Sequence, residues 1–357
     1  MFVRKDIVAL SVPFTLGVAA AAVSEGFSQG LYIVSSLCCI AAVALLCLAT
    51  RKGRQQAAVY ALFFALGAFC WVNDHICGSP AARQPEAALR GLENLTAAID
   101  AAGFRKPGTA ALLKALLTGQ RKALDQTTVA AFRAAGASHI LALSGLHLGI
   151  IYACIALLLR IFGNGRAAGV ARAVVSVTAC GFYTVMTGAG PSIVRAFLFI
   201  TMNEISRLLP HRRRDPLAVL CTALLIQLCI SPSVISSVGF QLSYLAMLGI
   251  FLIYPPLEAW YPEGLRFDPM RRIWCSIALT ISCQGFTAPL VWMTFHSFPK
   301  YFLLTNLVAL PLTEALMVCS VASISLSALG WCPEMLKGLV DALAQALIFC
   351  LKTISSI

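Results

Sequence analysis

The sequence predicts an all-α fold, a polytopic transmembrane helix bundle of about ten or eleven spans with an amphipathic extracytoplasmic surface helix. Three observations predict it: the composition, a series of apolar runs of bilayer length, and the alternation of cations between the loops that join them. The 357 residues are 59% hydrophobic and 12% charged, whereas soluble domains are about 45–50% apolar and about 25% charged. Disorder, collagen and a single cytosolic core are excluded as whole-chain readings. With 25 Gly, 16 Pro and almost no alternation of polar positions, the chain reads as helices rather than an outer-membrane barrel.

The apolar runs follow in order at 7–23, 31–49, 57–72, 138–162, 170–187, 192–209, 216–230, 237–256, 272–294, 301–330 and 336–355. Most reach the roughly 17–25 residues that a helix needs to cross a hydrocarbon core. They organise the chain into N-terminal transmembrane helices at 1–72, an extracytoplasmic loop at 73–107, a transmembrane domain at 108–330 and a C-terminal helix at 331–357. The 14 cysteines lie mostly inside the apolar runs and read as small buried hydrophobes. No C-x-x-C pair exists, and no disulfide framework is expected.

Charge orients the bundle. Lys and Arg number 27 against 15 Asp and Glu, a formal net charge of +12. With the N-terminus in the cytoplasm, the inside loops collect Arg4 and Lys5; Arg51, Lys52 and Arg54; Arg160, Arg166 and Arg172; Arg207 and Arg212 to Arg214; and Arg266, Arg271 and Arg272. The short outside loops carry Lys300 alone. Cytoplasmic loops attract such an excess, so most of the net charge is topology, with contact to membrane lipid added.

The polar stretch 73–137 falls outside. Its second half, over 108–135, reads as a helix lying on the membrane surface. Leu112, Leu113, Leu116, Leu117, Leu124 and Phe132 form its apolar face; Lys114, Arg121, Lys122 and Arg133 supply the cations.

Polar side chains at membrane depth are costly and normally face a cavity, a partner or a substrate path. Here Ser144, His147, Arg195, Gln241, Gln284, Asn306 and Glu314 recur on separate spans. At roughly 1.5 Å per residue, Ser144 and His147 sit about 9–14 Å below the outer boundary and Arg195 about 5 Å below it. Their shared level predicts an outward-facing polar cavity in the outer half of the bilayer.

Chemistry of other kinds is poorly supported. Ser144 and His147 share a helix face, but a serine nucleophile needs an orienting acid and an oxyanion hole, and no carboxylate is near in sequence. An intramembrane hydrolase is therefore the weaker reading, and no catalytic residue is assigned. The five histidines form no metal pattern, and G-x-x-x-x-G-K-[ST] does not occur. No cofactor or metal is expected.

The stretch ALLTGQRKALDQTTVAAFRAAGASHILALSGLHL, at 115–148, resembles the competence domain of the ComEC family of bacterial inner-membrane proteins. Its most recognisable part is Leu143-Ser144-Gly145-Leu146-His147. Further matches follow in the family's order: Gly190-Pro191-Ser192-Ile193-Val194-Arg195-Ala196, then Val238-Gly239-Phe240-Gln241-Leu242-Ser243, then Gln284 with Pro289, and Asn306-Leu307 with Pro311. The resemblance implies a non-enzymatic channel passing single-stranded DNA into the cytoplasm during natural transformation. It also implies a periplasmic DNA receptor and a cytoplasmic ATP-driven translocase as partners. Many members carry an OB-like domain in the outer loop and a metallo-β-lactamase-like nuclease at the C-terminus. The 73–107 loop has no room for a full OB domain, and H-x-H-x-D does not occur.

On this reading Lys114, Arg121, Lys122 and Arg133 form a basic surface at the DNA entrance, while Phe132, Tyr244, Trp292, Phe295, Phe298 and Tyr301 are candidate stacking faces or an interfacial aromatic belt. A strand with its bases requires a wide pore or a homodimer. The competing reading is a transporter or flippase of another anionic or amphiphilic substrate.

Overall fold

The computed structural model describes residues 2–23, 28–48, 52–77, 84–163, 165–208, 215–261, 268–296 and 301–355. Its elements are helices: α1 (Phe2–Val23), α2 (Ser28–Leu48), α3 (Lys52–Cys77), α4 (Glu86–Ala101), α5 (Thr109–Thr118), α6 (Gln126–Ala134), α7 (Ser138–Leu141), α8 (Gly145–Leu158), α9 (Arg166–Met186), α10 (Pro191–Leu208), α11 (Pro216–Ile230), α12 (Val238–Leu252), α13 (Tyr254–Glu258), α14 (Pro269–Phe295), α15 (Phe302–Ala328) and α16 (Glu334–Ser355). Short 3-10 turns follow α8 and α11. Among the described residues no strand occurs. The protein is an all-α, multi-pass membrane protein.

Each apolar run in the sequence corresponds to one helix or, at 138–162 and 237–256, to two in succession, because an apolar segment in lipid must satisfy its own backbone hydrogen bonds. Six helices (α1, α3, α9, α14, α15 and α16) are long and apolar enough to cross a membrane among the described residues. At 14 residues α8 is about 21 Å long, short of a hydrocarbon core of about 30 Å. Local chemistry starts the helices where they start. Asp215 accepts from Leu217 N (3.2 Å) ahead of Pro216, and Asp268 accepts from Met270 N (2.9 Å) and Arg271 N (3.3 Å) ahead of Pro269.

The chain divides into two compact units, residues 1–83 with 209–247, and residues 84–208 with 248–357. In the first, α3 packs against α1 and α2, and α11 packs against α1 and α3. A Cβ on Gly17 would stand 2.0 Å from the Phe64 carbonyl oxygen, and one on Gly67 would stand 2.1 Å from that of Phe14. The α1–α3 crossing is thus a reciprocal glycine contact, the close backbone approach by which helices associate in lipid.

The second unit holds the larger core. Its centre is Ile99, Leu112, Leu113, Leu116 and Phe132 packed with Leu316, Met317, Val340, Ala344 and Leu347. This corrects the expected surface helix over 108–135. The segment is two helices, α5 and α6, joined through Gly119, whose φ of +77° ends α5 in the left-handed conformation. Its apolar face lies on α15 and α16 rather than on lipid, since that hairpin offers a matching apolar face. The layer is tied by polar contacts too. Thr305 Oγ1 donates to the Ala135 carbonyl (2.8 Å), Tyr183 Oη to the Leu117 carbonyl (2.6 Å), and the buried Asp341 accepts from Arg105 N (2.9 Å) and Lys106 N (3.3 Å).

Candidate functional site

The run at 138–162 is interrupted. After α7 the chain is extended at Ala142, and Ser144 becomes the N-cap of α8. The break is fixed by a capping box in which His147 occupies the place usual for Glu or Gln. Ser144 Oγ accepts from Leu146 N (3.3 Å), while His147 Nδ1 accepts from Ser144 N (3.2 Å) and lies 2.9 Å from Ser144 Oγ.

A nitrogen that accepts from a backbone N–H carries no proton of its own, so the proton is on Nε2. His147 is 1% exposed, and Nε2 is buried without a hydrogen-bond partner. An unsatisfied buried donor costs about 1–3 kcal/mol.

Arg195 belongs to the same place. Its Nη2 lies 3.8 Å from where a Cβ on Gly145 would stand, at the first turn of α8. Gln284 is half-buried on α14. Helix α8 therefore presents its positive end beside a guanidinium. A cavity of about 270 Å³ adjoins the break, lined by Thr118, Gly119, Arg121, Leu143, Gly188 and Gly190 among others. It is built from the α5 cap, the break and the α9–α10 turn, where Gly188 and Ala189 both have positive φ (+88° and +48°). Leu143 wedges against Gly119, where an added Cβ would meet its Cδ1 at 2.7 Å.

The structure thus places Arg195 beside the first turn of α8, which Ser144 and His147 cap, with Arg121 on the adjoining cavity. Others stand apart. Gln241 belongs to the other unit and donates to the Ile235 carbonyl (2.8 Å). Glu314 is exposed on α15, and Asn306, on the same helix, has a buried Oδ1 without a partner. Of the basic surface, Arg121, Lys122 and Arg133 are exposed, but Lys114 is only 21% exposed and pairs with Asp100 at 2.7 Å. The Thr127 hydroxyl hydrogen-bonds the Asp125 carboxylate and holds its pKa below the usual range. Phe132 is no stacking face, being a fully buried core residue. Trp292, Phe295 and Tyr301 are exposed, Tyr244 donates to Gln227 Oε1 (3.0 Å), and Phe298 lies outside the described residues.

The sequence reading missed the role of Tyr152. It hydrogen-bonds Glu204 and accepts from Arg207 Nη1 (2.8 Å), which also pairs with Glu204 Oε1 at 2.8 Å. The i,i+3 spacing of Glu204 and Arg207 was a readable signal; a lone tyrosine in an apolar run was not.

Helices long and apolar enough to cross a membrane, packed around the broken α7–α8 segment, define an all-α multi-pass membrane protein. Residues 116–357 match the competence protein family, and the chain belongs to that family. It is similar to ComE operon protein 3 of Bacillus subtilis, 28% identical over 146 residues that cover 41% of this chain and 18% of that protein. It is also similar to Recombination protein 2 of Haemophilus influenzae, 27% identical over 221 residues that cover 58% of this chain and 27% of that protein. The chain therefore spans about a fifth to a quarter of the length of these relatives. No solved structure matches it.

Proposed function

We propose that the protein is an inner-membrane channel that passes single-stranded DNA into the cytoplasm during DNA uptake, with its N-terminus cytoplasmic. The observation that carries this reading is the donor cluster at the start of α8. His147 Nε2–H is buried without a partner, and the Arg195 guanidinium lies beside Gly145. A passing strand presents one phosphodiester after another, and such anions are held by helix N-termini and arginines. Membership of the competence family and the similarity to a ComE operon product and a recombination protein support DNA as the anion. On this reading a receptor delivers DNA at the outer face and an ATP-driven translocase pulls it from inside.

A hydrolase is less well supported by the same geometry. Ser144 Oγ is engaged as a helix cap, and no carboxylate orients His147 through Nε2. The test is uptake of labelled DNA by cells carrying Arg195→Ala or His147→Ala at normal membrane levels. Uptake should fall at least tenfold for Arg195→Ala. Unchanged uptake in both variants would remove the cluster from the path. A defect for a different exported or imported anion, with DNA uptake intact, would favour the transporter.

A further inference from the structure

Helices α8 and α10 meet at two polar levels. At the outer level Arg195 lies beside Gly145; about two turns further along α8, Tyr152 meets Glu204 and Arg207. The two arginines of α10 are twelve residues apart, about 18 Å along the axis.

Glu204 is 7% exposed. A carboxylate so buried needs hydrogen-bonding partners. Its partners are unevenly committed. Tyr152 Oη and Arg207 Nη1 both converge on Oε1, and Arg207 makes both of its bonds with that one nitrogen while 52% of its side chain is exposed. A guanidinium has five N–H donors in a planar fork suited to two oxygens of one phosphate. The pairing with Glu204 therefore leaves most of the capacity of Arg207 for an anion, while the carboxylate keeps a second hydrogen bond, from Tyr152, whether or not the arginine stays.

We propose that Arg207 is an exchangeable phosphodiester contact at the inner end of the α8–α10 pair. Without DNA it is held by Glu204 and Tyr152, which latches α8 to α10. When a strand passes, a phosphate replaces the Glu204 carboxylate on the guanidinium, Arg207 leaves the Tyr152 hydroxyl, and the latch loosens to the one Tyr152–Glu204 hydrogen bond that still joins α8 to α10. The exchange is noncovalent and swaps one ion pair for another of the same sign, so it needs no net charge transfer. It rests on the DNA-passage reading and adds to it a second DNA contact.

The experiment is equilibrium binding of an oligothymidylate to the purified protein, followed by fluorescence anisotropy over a series of salt concentrations. Glu204→Gln removes the competitor and should tighten binding about tenfold. Arg207→Ala should weaken binding and make the slope of log K against log salt shallower by about 0.7, the loss of one phosphate contact on a single strand. Tyr152→Phe removes no charge and should tighten binding by a smaller factor, which keeps the test alive if Glu204→Gln does not fold. Wild-type affinity and salt slope in the folded variants would overturn the latch. If Arg195→Ala alone weakens binding, the latch falls and the DNA-passage reading stands. If the wild-type protein binds no oligothymidylate, both fall.

Discussion

Gly145 offers the sharpest steric test of the donor cluster. A Cβ there would stand 3.3 Å from Ala196 Cβ and 3.8 Å from Arg195 Nη2. Alanine is tight against α10 by a few tenths of an ångström, an overpacking cost that the better helix propensity of alanine, worth up to about 1 kcal/mol, largely offsets. Valine is different. Each γ-methyl extends about 1.5 Å beyond Cβ, so one directed at the guanidinium would come within about 2.3 Å of Nη2 and displace it. If Arg195 holds a phosphate, the variant forfeits a hydrogen bond to a charged group, about 1.5–3 kcal/mol, or roughly 10- to 150-fold in affinity. Oligothymidylate binding by fluorescence anisotropy, with thermal unfolding in the same detergent as a control for folding, reads the series. Gly145→Ala should bind within about twofold of wild type and Gly145→Val at least tenfold weaker. Valine binding as glycine does, in a folded protein, would refute the placement of Arg195 in the site.

Three further substitutions test the framework. Ser144→Ala removes the cap of α8 and should destabilise the protein by about 1 kcal/mol, seen as a lower unfolding midpoint. Asp341→Ala leaves the Arg105 and Lys106 amides without their carboxylate and should cost about 1–3 kcal/mol in the same assay, with Asp341→Asn milder. Gly17→Ala drives a Cβ to 2.0 Å from the Phe64 carbonyl and should cost about 1–3 kcal/mol, whereas Gly53→Ala, with nothing within 4 Å, should leave the midpoint unchanged.

The helices were legible because an apolar run in lipid has few structural options. The run at 170–187 became α9, and 216–230 became α11 with the same ends. What was not legible depends on partners distant in sequence. Nothing local says that Leu112 and Phe132 cover α15 and α16 rather than lipid, since both destinations are apolar. The break before α8 carries no proline; its signal is a serine followed three residues later by a histidine acting as the capping-box partner. Ser144, His147 and Arg195 were readable as polar residues in the outer half of the bilayer; Ser144 and His147 cap α8, and Arg195 lies beside its first turn. Tyr152 was not, because its role exists only through Glu204, 52 residues away.

Site-specific photo-crosslinking tests the account most directly, with a benzophenone side chain placed at Leu143, on the wall of the cavity beside the α8 break, and in a second protein at the exposed Val174 of α9. During uptake of labelled single-stranded DNA the account predicts adducts from position 143 and none from position 174. Adducts from neither position, or equally from both, would contradict it.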